Sequence, residues 1–172
     1  MPVPDRPLPP EHLRDPANRD PADAWVELPD GRRFWGLAGA AGLLVWQPES
    51  DAVLLQLRAA WGHFGGTWGL PGGARRFGEP ALDAALREAA EEASVPRDAL
   101  ELLFEHVLDL DAWSYTTVVA RATRAFEPVI GDAESDALRW VPAADLDALD
   151  LHPGFAAAWP GLRADIRERF PI

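Results

Sequence analysis

Residues Gly73 to Val95 read G-A-R-R-F-G-E-P-A-L-D-A-A-L-R-E-A-A-E-E-A-S-V, and the rest of the chain is arranged around them. The glycine turn Leu70-Pro71-Gly72-Gly73 leads in, and Pro80 stands where a helix tolerates proline, at its start. From there a helix is expected, with Leu82, Ala85, Leu86 and Ala89 on its buried side. Residues three and four apart share a helix face, so Glu88, Glu91 and Glu92 point the same way. Like charges at that spacing repel and cost the helix stability. Hard divalent cations remove that cost, because oxygen ligands suit Mg²⁺ and Mn²⁺. A local conflict of this kind marks a place to look for function. By itself an E-x-x-E-E run is most often a solvated helix face.

The surrounding spacing shifts the balance. G-x5-E-x7-R-E-x-x-E-E runs without a gap through Gly73, Glu79, Arg87, Glu88, Glu91 and Glu92. This stretch resembles the Nudix box, the signature of the Nudix hydrolases. Two positions depart from that pattern: Ser94 stands where the box ends on glycine, and Ala89 where a larger aliphatic is common. The resemblance implies an α/β fold, a Nudix-type α/β/α sandwich with a mixed β-sheet. It also implies Mg²⁺ (or Mn²⁺) held by Glu88, Glu91 and Glu92 and by the Gly72 carbonyl.

Hydrolysis of a diphosphate requires neutralised phosphoryl oxygens, an in-line water and positioning. Glu88, Glu91 and Glu92 are therefore the candidate catalytic carboxylates. Arg87 is expected to orient Glu91 four residues on, and Glu79 to neutralise an arginine or cap amides. In the family a loop downstream of the box often adds a carboxylate, and Glu134, in Gly131-Asp132-Ala133-Glu134-Ser135-Asp136, is the candidate. Arg58, at the end of a strand, and Arg75 and Arg76, inside the box, are the candidate substrate-phosphate contacts. Each competes with a plain surface role, as arginine is common there. His63 is a further candidate beside the substrate, and Trp61, Phe64 or Trp113 for stacking on a base.

The chain has 172 residues, 48% of them hydrophobic and 26% charged, enough for one domain with a sizeable core. It contains no cysteine, so disulfides, thiolate metal sites and thiol nucleophiles are excluded. That composition suits a reducing, cytoplasmic setting. No basic and apolar leader pattern opens the sequence, and the longest apolar run, Leu37 to Trp46, is too short for a membrane span. The net charge of −12 disfavours long nucleic acid but allows a small anionic ligand beside bound cations. The expected partner is a small-molecule nucleotide.

Residues 1–24 hold seven prolines among charges and are read as a loose N-terminal arm. Packing of the arm on a partner subunit, as in a homodimer, is the alternative. Residues 25–172 are then a single Nudix hydrolase domain. Strands are expected at Trp25 to Leu28, Arg33 to Leu37, Ala40 to Trp46, Ala52 to Leu57, Leu100 to Leu108, Ser114 to Ala122 and Ala137 to Val141. A last helix, Phe155 to Phe170, should be kinked or interrupted at Pro160 and Gly161. Within the family the implied reaction is cleavage of a nucleoside diphosphate linked to another moiety, with a nucleoside triphosphate, oxidised ones included, favoured. The competing function is a Nudix-like module that senses a nucleotide or sugar nucleotide without cutting it. Such modules usually lose box carboxylates, and this chain keeps all three.

Overall fold

The structure is a computed structural model that describes residues 7–172. The first six residues of the proline-rich arm lie outside the described residues. Helix α1 (Glu11–Arg14) and a 3₁₀ turn (Pro16–Asn18) precede a small hairpin, β1 (Trp25–Glu27) with β2 (Arg33–Trp35). The arm is not loose at its C-terminal end: Ala22 is fully buried, and the Leu37 amide donates to its carbonyl. The Gly36 amide likewise donates to the Ala24 carbonyl, so this segment is fastened to the hairpin's exit.

The main sheet has seven strands: β3 (Ala40–Gln47), β4 (Ala52–Arg58), β5 (Trp68–Gly69), β6 (Gly72–Ala74), β7 (Leu100–Asp109), β8 (Ser114–Ala122) and β9 (Ser135–Pro142). β3 and β8 pair in parallel and the other pairs are antiparallel, so the sheet is mixed. β3 is buried on both faces, as its apolar run predicts. Leu43 and Val45 face one layer, Leu44 and Trp46 the other. Helix α2 (Ala81–Ala93) covers the first face and α3 (Pro153–Arg169) the second. This is the expected α/β/α sandwich.

Two details position the site. β3 and β4 pair only near their shared turn, Trp46 with Val53 and Gln47 with Ala52. Beyond that β5 takes the edge of β4 and β6 the edge of β3, so the glycine turn fills the gap between diverging strands. Neither short strand has a readable sequence pattern. The buried residues of α2 are Ala84, Ala85, Ala89, Glu92 and Ala93, with Leu82 and Leu86 only partly buried. Alanines bring the helix close to the sheet, and that closeness draws one box glutamate inside.

α3 is continuous through Pro160 and Gly161, so the helix is not interrupted there. Proline deprives the Ala156 carbonyl of its helical donor, but both residues are exposed and water can serve that carbonyl. Phe155, Trp159, Leu162 and Ile166 hold the opposite face on the sheet.

Candidate active site

The site begins with Glu92. Its side chain enters the protein on the last turn of α2, with 1% of the residue exposed, and its Oε2 accepts the Gly72 amide at 2.9 Å. The helix is thereby tied to the glycine turn through one carboxylate. Gly73 completes the fit, since a Cβ there would lie 2.8 Å from the Glu88 carboxylate carbon. Glu134 joins from the segment before β9, and its charge acts on Glu92 and Glu88.

Burial dominates the electrostatics of this group. It pushes Glu88 up to about 7, against a partial pull from the Arg87 guanidinium. Glu92 is driven well above the ordinary carboxylate range, by burial first and then by the Glu88 and Glu134 charges. Glu134 is raised by burial and by Asp132, and Asp132 by its own burial. Carboxylates in this state are costly unless protonated or neutralised by a cation.

Arg87 organises the outer side. Its Nε and Nη2 donate to the two Glu79 oxygens at 2.8 and 2.9 Å, and its Nη1 to Glu88 Oε1 at 2.7 Å. Nη2 also reaches the Ala74 carbonyl at 3.2 Å. The fork holds Glu79 down at about 2, and Glu79 in turn accepts the Arg76 amide. Glu79 therefore both neutralises an arginine and accepts an amide. Arg87 reaches Glu91, the partner expected for it, only at 3.4 Å, and Glu91 is about half exposed.

The three candidate phosphate contacts separate. Arg58 lies on the site side: its charge pulls on Glu134, Tyr115 and His152, and its Nε donates to the His63 carbonyl at 2.8 Å. Arg75 is committed to the Glu79 carbonyl, at 2.8 Å from Nη2 and 3.1 Å from Nε. Arg76 turns outward to Asp20 at 3.8 Å. Among the aromatic candidates, Trp113 is buried with its ring stacked on Phe34 at 4.3 Å, which removes that face from any base. Trp61 remains partly exposed and Phe64 exposed, the latter in edge contact with His63 and His152.

Several residues here are unmarked in the sequence. Asp132 stands two positions from Glu134 and accepts its amide. Tyr115 lies over Gly42, where a Cβ would meet its hydroxyl at 2.0 Å, and burial raises its phenol. Asp23, from the N-terminal segment, feels Arg87 and acts on Glu134. Only the acidic run 131–136 carried a signal for Asp132. The other two arrive by folding from distant segments.

The end of α2 explains the box's unusual serine. Ser94 adopts the left-handed conformation (φ 54°, ψ 35°) that the usual glycine would supply. Its amide bonds the Ala90 carbonyl and the Val95 amide the Ala89 carbonyl, which closes the helix normally. The departure leaves the helix end intact.

The donor set suits a hard divalent cation: only carboxylate and carbonyl oxygens, with buried like charges in need of compensation. Among the described residues no three His, Asp or Glu side chains converge in a geometry that would hold an ion. Glu88 is engaged by Arg87, and Glu91 faces outward.

A mixed sheet between helices, with a buried glutamate and further carboxylates gathered where two strands diverge, is the scaffold of one class of hydrolase. The NUDIX domain model matches residues 36–160. A Mycobacterium tuberculosis protein named "Putative 8-oxo-dGTP diphosphatase 3" is 47% identical over 154 residues, covering 84% of this chain and 70% of that protein. The crystal structure of a Nudix hydrolase from M. smegmatis, RenU, superposes with a TM-score of 0.78 at 43% identity, over 87% of this chain and 98% of that one. A C. elegans Ap4A hydrolase in a binary complex shares the fold, with a TM-score of 0.64 at 20% identity over 75% of this chain and 98% of that one. The chain belongs to the NUDIX family and is a Nudix hydrolase.

Proposed function

We propose that this hydrolase cleaves a phosphoanhydride bond of a nucleoside triphosphate, with an oxidised purine nucleotide such as 8-oxo-dGTP as the first substrate to try. The observation that carries the reading is the Glu88–Glu92–Glu134 group at the mouth of the glycine turn, with Glu92 buried, Glu88 part-buried and Glu134 at the surface, all three raised by desolvation and like charge. The 8-oxo-dGTP in the name of the M. tuberculosis relative supports the choice of nucleotide.

In this reading Glu88, Glu91, Glu92 and the Gly72 carbonyl hold Mg²⁺ or Mn²⁺. When bound, such ions neutralise phosphoryl oxygens and lower the pKa of coordinated water. Arg58 binds substrate phosphate from the sheet side. Arg87 keeps Glu79 and Glu88 in place, and Glu134 accepts the proton of the attacking water. Water adds to phosphorus, the bond to the leaving phosphate oxygen breaks, and a nucleoside monophosphate and pyrophosphate leave with one proton released. Water exclusion around Glu92 strengthens the interactions made there. Arg75 and Arg76 serve the box loop rather than the substrate, given their bonds to Glu79 and Asp20.

Product analysis for nucleoside monophosphate and pyrophosphate, with 8-oxo-dGTP, dGTP and a panel of dinucleotide and sugar-nucleotide diphosphates in Mg²⁺ or Mn²⁺, tests the reading. Turnover of triphosphates with release of pyrophosphate is the expected result. Cleavage of only the dinucleotide or sugar-nucleotide compounds would overturn the substrate assignment. Nucleotide binding without turnover across the panel would overturn the assigned reaction.

A further inference from the structure

The segment between β8 and β9 crosses the C-terminal end of α2, and its bonds there are unusually ordered. The last carbonyls of a helix lack helical donors. Here the Val129 amide donates to the Ala93 carbonyl and the Gly131 amide to the Glu92 carbonyl, both at 3.1 Å. Ser94 Oγ donates back to the Val129 carbonyl at 2.9 Å. Gly131 fits closely against the helix, since a Cβ at that position would lie 1.9 Å from the Glu91 carbonyl oxygen. Three residues beyond Gly131 stands Glu134, whose carbonyl accepts the Ala59 amide at 2.9 Å and whose charge acts on Glu92.

The same residue of α2 therefore bears on both ends of residues 131–134. The Glu92 backbone holds Gly131, and the Glu92 carboxylate feels the charge of Glu134. Two carboxylates repel each other, so an anchor elsewhere must keep them in register. We propose that residues 126–134 form a strap fastened to α2 by Ser94 and Gly131, and that these two are positioning residues that hold Glu134 against Glu92. The catalytic part of this inference rests on the reading of Glu134 given above. The serine, where the box has glycine, supplies a hydroxyl that glycine lacks.

The test uses the full chain and two readouts: amide hydrogen exchange at Val129 and Gly131, and steady-state kinetics of triphosphate hydrolysis. Ser94→Gly removes the hydroxyl but favours the left-handed cap, so the melting temperature should hold. Exchange at both amides should quicken by about 2- to 10-fold, the range of one neutral hydrogen bond, and kcat should fall with KM little changed. Gly131→Ala should lower kcat by more than about 10-fold, because the backbone carbonyl it meets cannot swing aside. Ser94→Asn, which tolerates the left-handed region and carries a donor, should restore both readouts in part.

Unchanged exchange in Ser94→Gly overturns the strap, and that variant decides the matter even if Gly131→Ala fails to fold. Faster exchange with undiminished kcat, in a protein that Glu134→Gln inactivates, overturns the positioning role. Full activity in Glu134→Gln overturns the assignment of Glu134 and the catalytic part with it. The exchange rates still report the strap in that case, so the two failures are distinguishable.

Discussion

Arg87 grips Glu79 with two parallel hydrogen bonds, Nε to Oε1 at 2.8 Å and Nη2 to Oε2 at 2.9 Å. The pair joins the first glutamate of the box to the helix that carries the others. Both side chains are mostly buried, so the fork is little screened by solvent. A fall of Glu79 from 4.5 to about 2 corresponds to roughly 3 kcal/mol of native-state stabilisation.

Arg87→Lys should therefore cost about 2–3 kcal/mol, since a lysine ammonium cannot reproduce the fork. Urea denaturation at pH 7 measures the loss. The sign with pH follows from a depressed carboxyl: the contribution is fully present above pH 4.5 and is lost as pH falls toward 2. The difference between wild type and variant should shrink across that window.

Glu92 stands in the opposite position, disfavoured when charged. Glu92→Gln keeps an oxygen to accept the Gly72 amide while removing the buried charge. Thermal melts in a metal chelator should show the variant more stable than wild type by about 1–2 kcal/mol. A less stable variant would contradict the repulsion described here.

His152 caps α3 through Nδ1, which accepts the Gly154 amide at 3.1 Å. Burial, assisted by the charges of Arg58 and His63, lowers the imidazole to about 4. Between pH 6.5 and 4 the unfolded chain takes up a proton that the folded chain refuses, so stability falls as pH drops through that window. His152→Asn keeps the cap and removes the titration. Wild type should lose up to about 3 kcal/mol more than the variant between pH 7 and 4, measured by denaturant titration.

Arg58→Ala should raise KM for a triphosphate by about 10-fold or more, the worth of a charged hydrogen bond to phosphate, with a smaller effect on kcat. Arg76→Ala, which breaks only the outward pair with Asp20, should leave KM within about 2-fold. Equal effects in the two variants would remove Arg58 from the phosphate site.

The sandwich, the box helix and the long strands were legible because each carries a period: 3.6 in residues 81–93, and unbroken apolar runs in β3 and β4. The short strands β5 and β6 were not, since they exist only to fill the divergence of β3 and β4, a tertiary event. Helical spacing placed three glutamates on one face, but not their different depths. Glu92 is buried and Glu91 half exposed because alanines seat the helix tightly on one side. Pro160 does not interrupt α3, because the face opposite it is held on the sheet by Trp159 and Leu162.

The central claim is that the carboxylates of α2 support cation-dependent cleavage of a nucleoside triphosphate. Its most direct test is pyrophosphate release from 8-oxo-dGTP in Mg²⁺, comparing wild type with Glu91→Gln and Glu92→Gln. The account predicts Mg²⁺-dependent turnover that falls by about 100-fold or more in each variant. Undiminished turnover in both folded variants would contradict it.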